Sequence, residues 1–230
     1  MRQCKSRARV FVIIALLASA ARASAEPPRL DLVWVDPTGI AAHTFDVVAA
    51  ESRALLAPTG ADVTWTEAPR GAVVGPESLV VIAVPTYPTS ANRERHVMGS
   101  TRMVADGALA VWVFPDQVAW ALGLDLEMRR SWGKHVERNF ALALARVASH
   151  EVIHALGTPG HSAGGLMAAR LDRNALTARA LRVDPITVAA LRLAFDRGAR
   201  TADRSWTPSL LRGSPVRAAA ELTAVPGPNR

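Results

Sequence analysis

The segment that decides the architecture of this chain runs from residue 134 to residue 161 and reads KHVERNFALALARVASHEVIHALGTPGH. Apolar residues recur in it at helical spacing, which predicts one long helix over residues 134–156. Gly157 and Pro159 end this helix, because glycine can adopt the left-handed backbone of a helix exit and proline cannot continue a helix. The segment therefore predicts a long helix followed by a sharp change of direction before His161.

The same segment carries a candidate metal site. His150 and His154 are one helical turn apart, so their imidazoles lie on one face and can converge on one ion. The short linker beyond Gly157 can bring His161 back towards that ion. Three imidazole nitrogens and one water molecule form the tetrahedral arrangement of a catalytic zinc site. We therefore expect one zinc ion as cofactor, with Glu151 close enough to act on the water as a general base without being a ligand.

The third ligand and the carboxylate each have an alternative interpretation. Asp172 is the only nearby acid that could replace His161 as a ligand, although its position favours a role as the cap of a following helix. A site that binds zinc without catalysis would have no need of Glu151. The remaining histidines are scattered and have no partners at ligand spacing, and we interpret them as ordinary helix, loop or surface residues: His43, His96 and His135.

The rest of the chain predicts an α+β fold. Apolar runs bounded by Pro, Gly or Asp predict strands at 30–35, 62–66, 78–84, 97–104 and 108–114, and helices at 39–57 and 184–197. Asp106-Gly107 is a tight-turn dipeptide and predicts a hairpin between the last two strands. Asp184 caps the last helix, and Gly198 ends it. We expect a twisted mixed sheet with one backing helix, then the helix of residues 134–156, and a small C-terminal helical part.

The N-terminal residues have the pattern of a signal peptide. Within residues 1–25, a basic stretch precedes an apolar run and then small residues that end in Ala-Ser-Ala before Glu26. The apolar run, at 10–18, is shorter than the roughly 20 residues of a membrane-spanning helix. We therefore expect cleavage, no membrane anchor afterwards, and a periplasmic or extracellular product. The single cysteine, Cys4, would leave with the leader.

The remaining chain divides into one domain and a tail. Residues 26–201 are predicted to form the domain, and residues 202–230, rich in Pro, Gly, Ser and Arg, a disordered tail. The formal charge of the whole chain is +7, but residues 1–25 carry five basic and no acidic residues, which leaves 22 basic against 20 acidic residues. A balance this even, without a basic run, argues against a nucleic-acid partner.

Residues 150–167 resemble the zinc-binding consensus of the metzincin metalloproteases, H-E-x-x-H-x-x-G-x-x-H followed by a Met-turn. The residues that match in place are His150, Glu151, His154 and Gly157. His161 lies one residue beyond the consensus position, and His161-Ser162 resembles the His-Ser pair of matrixins. Gly164-Gly165-Leu166-Met167 is similar to the Met-turn of small secreted bacterial matrixin-like proteins. The predicted order of strands and helices also resembles the upper subdomain of metzincins.

The resemblance implies a secreted zinc endopeptidase with a polypeptide substrate. In that case Met167 forms a hydrophobic floor beneath the zinc, and the edge strand of the hairpin at 97–114 holds an extended peptide by backbone hydrogen bonds. Two other functions share the same residues: an exported zinc-binding or peptide-binding module without turnover, and a zinc hydrolase that acts on a non-peptide amide.

Overall fold

The computed structural model describes residues 26–69, 72, 74–75, 78–86, 97–103, 109–158 and 160–201. The predicted signal peptide (1–25) and the predicted tail (202–230) lie outside these residues, as does the turn predicted at Asp106-Gly107. Within the described part of the chain, no helix has both the length and the apolar character needed to cross a membrane.

The described residues form five strands, five α-helices and two short 3-10 helices. The strands are β1 (Arg29–Val35), β2 (Asp62–Ala68), β3 (Leu79–Ala83), β4 (Gly99–Met103) and β5 (Leu109–Val113). The helices are α1 (Phe45–Leu56), α2 (Pro115–Ala121), α3 (Lys134–Ala155), α4 (Arg173–Thr177) and α5 (Pro185–Thr201), with 3-10 turns at Ala57–Thr59 and Leu126–Ser131.

The strands form one mixed sheet in the order β2-β1-β3-β5-β4. Strands β2, β1, β3 and β5 are parallel to one another, and β4 pairs with β5 in the antiparallel direction. Parallel strands covered on both faces need apolar side chains in both directions, and all five residues of β3 are buried. The sheet and its helices confirm the predicted α+β class. The antiparallel pairing also confirms the predicted hairpin strands, and it places β4 at the edge of the sheet.

Helices cover one face of the sheet. Leu32 and Trp34 of β1 point into the larger core together with the apolar face of α3, whereas Val33 and Val35 point into a smaller cluster on the opposite face. This alternation follows from the two-residue period of a strand. Helix α3 contacts α1, α2, α4, β4 and β5. It is therefore held on several sides, and its C-terminal end lies beside the edge strand.

Two predicted helix boundaries are wrong. The helix predicted at 39–57 begins only at Phe45, because the Asp36 carboxylate accepts a hydrogen bond of 2.8 Å from the Ala41 backbone N–H and residues 38–43 form turns. The last helix continues past Gly198 to Thr201, since an interior glycine costs only about 1 kcal/mol in a helix.

Sequence reasoning missed helix α2 altogether. It is short, with seven residues, and directly follows β5. Its sequence signals were Pro115 at the first helical position and Asp116 in the first turn, where a carboxylate is favourable. The cap of the last helix was predicted: Asp184 accepts hydrogen bonds from the backbone N–H and the hydroxyl of Thr187 at 2.9 and 2.6 Å.

An ion pair between a buried arginine and a partly exposed glutamate fixes the position of α3. The Arg146 guanidinium lies 2.9 Å from the Glu51 carboxylate of α1 and donates to the carbonyl oxygens of Ala175 and Leu176 in α4, at 3.1 and 2.8 Å. Arg146 is only 2% exposed. A buried charge is tolerated only when it is paired and hydrogen-bonded, so these contacts specify how the three helices meet.

Replacing Glu51 with Ala removes the counter-charge of this buried guanidinium. We expect the free energy of unfolding to fall by about 3 kcal/mol, because breaking a buried pair from one side typically costs ~3–5 kcal/mol. Glu26→Ala is the matched control, since its pair with Arg29 is exposed, and it should change stability by less than about 1 kcal/mol. Urea unfolding of both variants measures the difference; equal losses would contradict the structural role of the pair.

Candidate metal centre

The structure brings the three predicted ligands together. His150 and His154 lie in the last turns of α3, and His161 lies in the loop that follows. The Nε2 atoms of His150 and His154 are 3.0 Å apart, and those of His154 and His161 are 3.3 Å apart. Within the described residues, these three histidines form the only group of three or more potential metal-binding side chains.

Backbone carbonyls orient two of the imidazoles. His150 Nδ1 is 2.8 Å from the Leu166 carbonyl oxygen, and His154 Nδ1 is 2.6 Å from that of Thr158. A carbonyl oxygen only accepts hydrogen bonds, so each Nδ1 carries a proton, and in the neutral form of each ring the lone pair is then on Nε2. Metal-ligating histidines are fixed in the same way, by donating their second ring N–H to a carbonyl or carboxylate.

The arrangement fits a zinc ion. Lone pairs that face one another at this distance repel unless a cation lies between them. Tetrahedral bonds of about 2.0–2.1 Å place two nitrogen ligands about 3.3 Å apart, close to the observed separations. Burial lowers the pKa of His150 to about 4, against the opposing effect of its hydrogen bond to the Leu166 carbonyl and with smaller contributions from the neighbouring His154 and His161. His150 is therefore neutral near pH 7, as a metal ligand must be.

The exit from α3 directs the chain back to the site. Gly157 has a φ of +93°, in the left-handed region, as its position predicts. Its N–H donates to the His154 carbonyl at 3.0 Å. His161 reaches the other two histidines although it stands one residue beyond the consensus position. Asp172 is not part of the histidine group. Its carboxylate accepts from the Ala175 N–H at 2.8 Å as the cap of α4, as the sequence favours.

A tight loop at residues 162–168 supports His150. The Ser162 N–H donates to the Met167 carbonyl at 2.7 Å, and the Leu166 N–H donates to the Arg182 carbonyl at 2.8 Å. Gly165 has a φ of +73°, and a Cβ there would lie 2.7 Å from the Arg182 oxygen. Leu166 and Met167 are fully buried. The loop thereby fixes the carbonyl that orients His150, while the role of Met167 as a floor beneath a metal stays a prediction.

Glu151 lies next to the histidines in sequence but is not one of the group. Its side chain is half-buried, and burial raises the pKa of the carboxyl to about 7, against the opposing effect of its hydrogen bond to Thr101. Thr101 Oγ1 lies 3.1 Å from Glu151 Oε2. Within the described residues, Glu151 Oε1 makes no hydrogen bond. Sequence reasoning missed Thr101, because no motif links it to a helix fifty residues away.

A cleft of about 270 Å³ opens at this site. One wall consists of residues 97–99 at the start of β4, and the other of residues 168–171. His150, Glu151 and His161 line the cleft between these walls. The outer edge of β4 pairs with no other strand among the described residues. The predicted hairpin therefore does supply one rim of the cleft.

Comparisons with known proteins add little. The sequence matches no protein-family model and no curated protein. Among solved structures, the structure of a zinc-dependent peptidase from Methanocorpusculum labreanum (strain Z) is similar to that of this chain, with a TM-score of 0.48 and 11% sequence identity. The match covers 70% of this chain and 99% of that one. A likeness this weak is not an argument about the site or the activity of this chain.

Gly157→Ala should strain the helix exit. A residue with a Cβ costs about 1–2 kcal/mol in the left-handed region, so we expect a stability loss of that size and weaker zinc binding. Gly164→Ala is the control, because Gly164 lies in the neighbouring loop without a positive φ and a Cβ there meets nothing within 4 Å. Thermal unfolding tests both variants, and an unchanged Gly157→Ala protein would contradict the assigned backbone role.

His161→Ala should weaken zinc binding by more than the ~10–100-fold typical of losing a group that only orients a ligand. The reason is that this variant lacks one of the three imidazole nitrogens that would bind the ion. His135→Ala serves as the control, since His135 is exposed at the other end of α3 and should leave the affinity unchanged. Competition titrations with a zinc chelator measure both. Equal affinity of His161→Ala and wild type would exclude His161 as the third ligand.

Proposed function

We propose that this chain is an exported zinc-dependent endopeptidase of the metzincin type. One observation carries the proposal: the ring nitrogens of three histidines lie close enough together to bind one ion, with a carboxylate beside them that is not a member of the group. Binding a metal with three imidazoles needs no adjacent acid, whereas hydrolysis needs a base next to the attacking water. Export is inferred from the predicted signal peptide at residues 1–25.

In this proposal three histidines bind the metal and one glutamate transfers protons. His150, His154 and His161 would hold the ion through Nε2. A bound zinc ion supplies Lewis-acid polarisation of a carbonyl oxygen and makes water nucleophilic near neutral pH. Glu151 Oε1, free of hydrogen bonds from described residues, takes the proton of the attacking water. The same oxygen then delivers that proton to the nitrogen of the leaving amine, which balances the hydrolysis.

The edge strand supports a polypeptide as the substrate. Strand β4 ends the sheet beside the cleft, and among the described residues no strand pairs with its outer edge, which is where an extended chain would add to the sheet. A substrate strand added there would run between β4 and the wall of residues 168–171 and place one peptide bond near the three histidines. This is the reason for proposing a peptide bond as the target over other amides.

Glu151→Ala should abolish most peptidase activity and retain zinc. General acid–base catalysis is typically worth ~10²–10⁴-fold, so we expect kcat to fall by at least 10²-fold. His150→Ala should instead lose zinc and activity together, since it removes a ligand. Zinc content by elemental analysis and cleavage of a peptide library or casein measure the two properties separately.

Glu127→Ala is the matched control for this experiment, because Glu127 is exposed and away from the cleft; it should keep both zinc and activity. Near wild-type cleavage by Glu151→Ala would move the general base to another residue. A zinc-loaded wild-type chain that cleaves no peptide in a broad library would favour an exported binding module without turnover.

A further inference from the structure

Strand β4 and helix α3 come unusually close at Glu151. Gly99 and Thr101 are two residues apart in β4 and therefore point to the same face of the sheet, towards α3. Pairing with β5 fixes their register, with Gly99 opposite Val113 and Thr101 opposite Val111. Both residues thus meet the part of α3 that carries the candidate general base.

Gly99 has no room for a side chain. A Cβ at this position would lie 2.7 Å from Glu151 Cγ, 3.1 Å from Glu151 Oε1 and 2.9 Å from Val147 Cγ1. Its backbone does not have a positive φ, so the need for glycine comes from this contact and not from backbone conformation. The glycine lets the backbone of β4 lie directly against the Glu151 side chain and limits the rotamers that the side chain can adopt.

Thr101 contacts the same residue at two oxygens, which share its single hydroxyl proton. Its Oγ1 is 2.8 Å from the Glu151 carbonyl oxygen and 3.1 Å from Oε2. Thr101 is half-buried, so water competes weakly for these contacts. With Oε2 held in this way, Oε1 is the oxygen left for proton transfer.

We propose that Gly99 and Thr101 are positioning residues that fix the Glu151 carboxylate beside the three histidines, Gly99 by close packing and Thr101 by its hydroxyl. This inference rests on the proposed function for its consequence in catalysis. Its geometric part, the coupling of β4 to the Glu151 side chain, is independent of turnover and of zinc.

The coupling is tested by a thermal double-mutant cycle on the full-length chain as purified. Gly99→Ala should lower the Tm by about 5 °C, because overpacking a close contact destabilises a protein of this size by that order. In a Glu151→Ala background the Tm loss should be clearly smaller, since the contacts with Glu151 Cγ and Oε1 are gone and only the contact with Val147 remains. Gly133→Ala, where a Cβ meets nothing within 4 Å, is the control and should lose the same small amount in both backgrounds.

The catalytic consequence is tested with Thr101. Thr101→Val removes the hydroxyl at nearly constant volume and should lower kcat by about 10–100-fold through misplacement of the base, with KM and zinc content nearly unchanged. Thr101→Ser restores the hydroxyl and should recover most of the lost kcat. Thr64→Val is the matched control, because Thr64 is an exposed threonine in strand β2, and this variant should have the kcat of the wild type.

Two results together support the inference. The Tm loss caused by Gly99→Ala is smaller in the Glu151→Ala background than in the wild type, and the kcat lost in Thr101→Val is recovered in Thr101→Ser. An equal Tm loss in both backgrounds overturns it, and so does a Thr101→Val protein that matches Thr64→Val in kcat. An inactive wild-type chain contradicts the proposed function instead, and the thermal cycle alone then decides whether β4 positions Glu151.

Discussion

The structure depends on one electrostatic constraint, the convergence of three imidazole rings through their Nε2 atoms. These nitrogens lie 3.0 Å apart in His150 and His154 and 3.3 Å apart in His154 and His161, and lone pairs at such distances repel one another wherever no proton lies between them. They stay there only if the surrounding chain fixes each ring or a cation relieves the repulsion. Two of the rings are fixed by backbone carbonyls, those of Leu166 and Thr158. The fold can therefore be understood as a support for this arrangement.

Each neighbouring element contributes a different part of that support. Helix α3 is buried along most of its length, and Arg146 pins it to α1 and α4 through one ion pair and two carbonyl contacts. The loop of residues 162–168 holds the Leu166 carbonyl against His150. On the other side, β4 packs on Glu151. The end of α3 that carries His150 and His154 is thus held between the edge strand and the loop, and both of these contact side chains of the candidate site.

Local patterns predicted the elements that are encoded locally. The helical spacing of residues 134–156 located α3 to within one residue of its end at Ala155, and the capping chemistry of Asp172 and Asp184 was readable from single positions. The convergence of His161 was also predictable, because a glycine exit and a short loop limit where the chain can go. The predicted start of α1 was wrong because the Asp36 carboxylate accepts a hydrogen bond from the Ala41 N–H and stabilises a turn, which the periodicity of apolar residues does not reveal.

Contacts between distant segments were not readable from the sequence. The carbonyl of Leu166 accepts from His150 whatever side chain residue 166 carries, so no pattern marks it. Gly99 resembles any glycine at the start of a strand until the sheet register places it against Glu151, and Thr101 reaches that residue only through the pairing of β4 with β5. The clustering of the three histidines was therefore predictable, whereas the orientation of their rings and the placement of the Glu151 carboxylate depend on tertiary packing.

A crystal structure of the zinc-soaked protein, with anomalous diffraction recorded on both sides of the zinc absorption edge, tests the central claim most directly. We expect one zinc ion per chain, bonded at about 2.0–2.1 Å to the Nε2 atoms of His150, His154 and His161. We also expect the Glu151 carboxylate to stay outside the bonding distance and to keep its contact with Thr101. An ion bound through Nδ1 atoms, an ion ligated by Glu151, or no zinc at the three histidines would contradict the account.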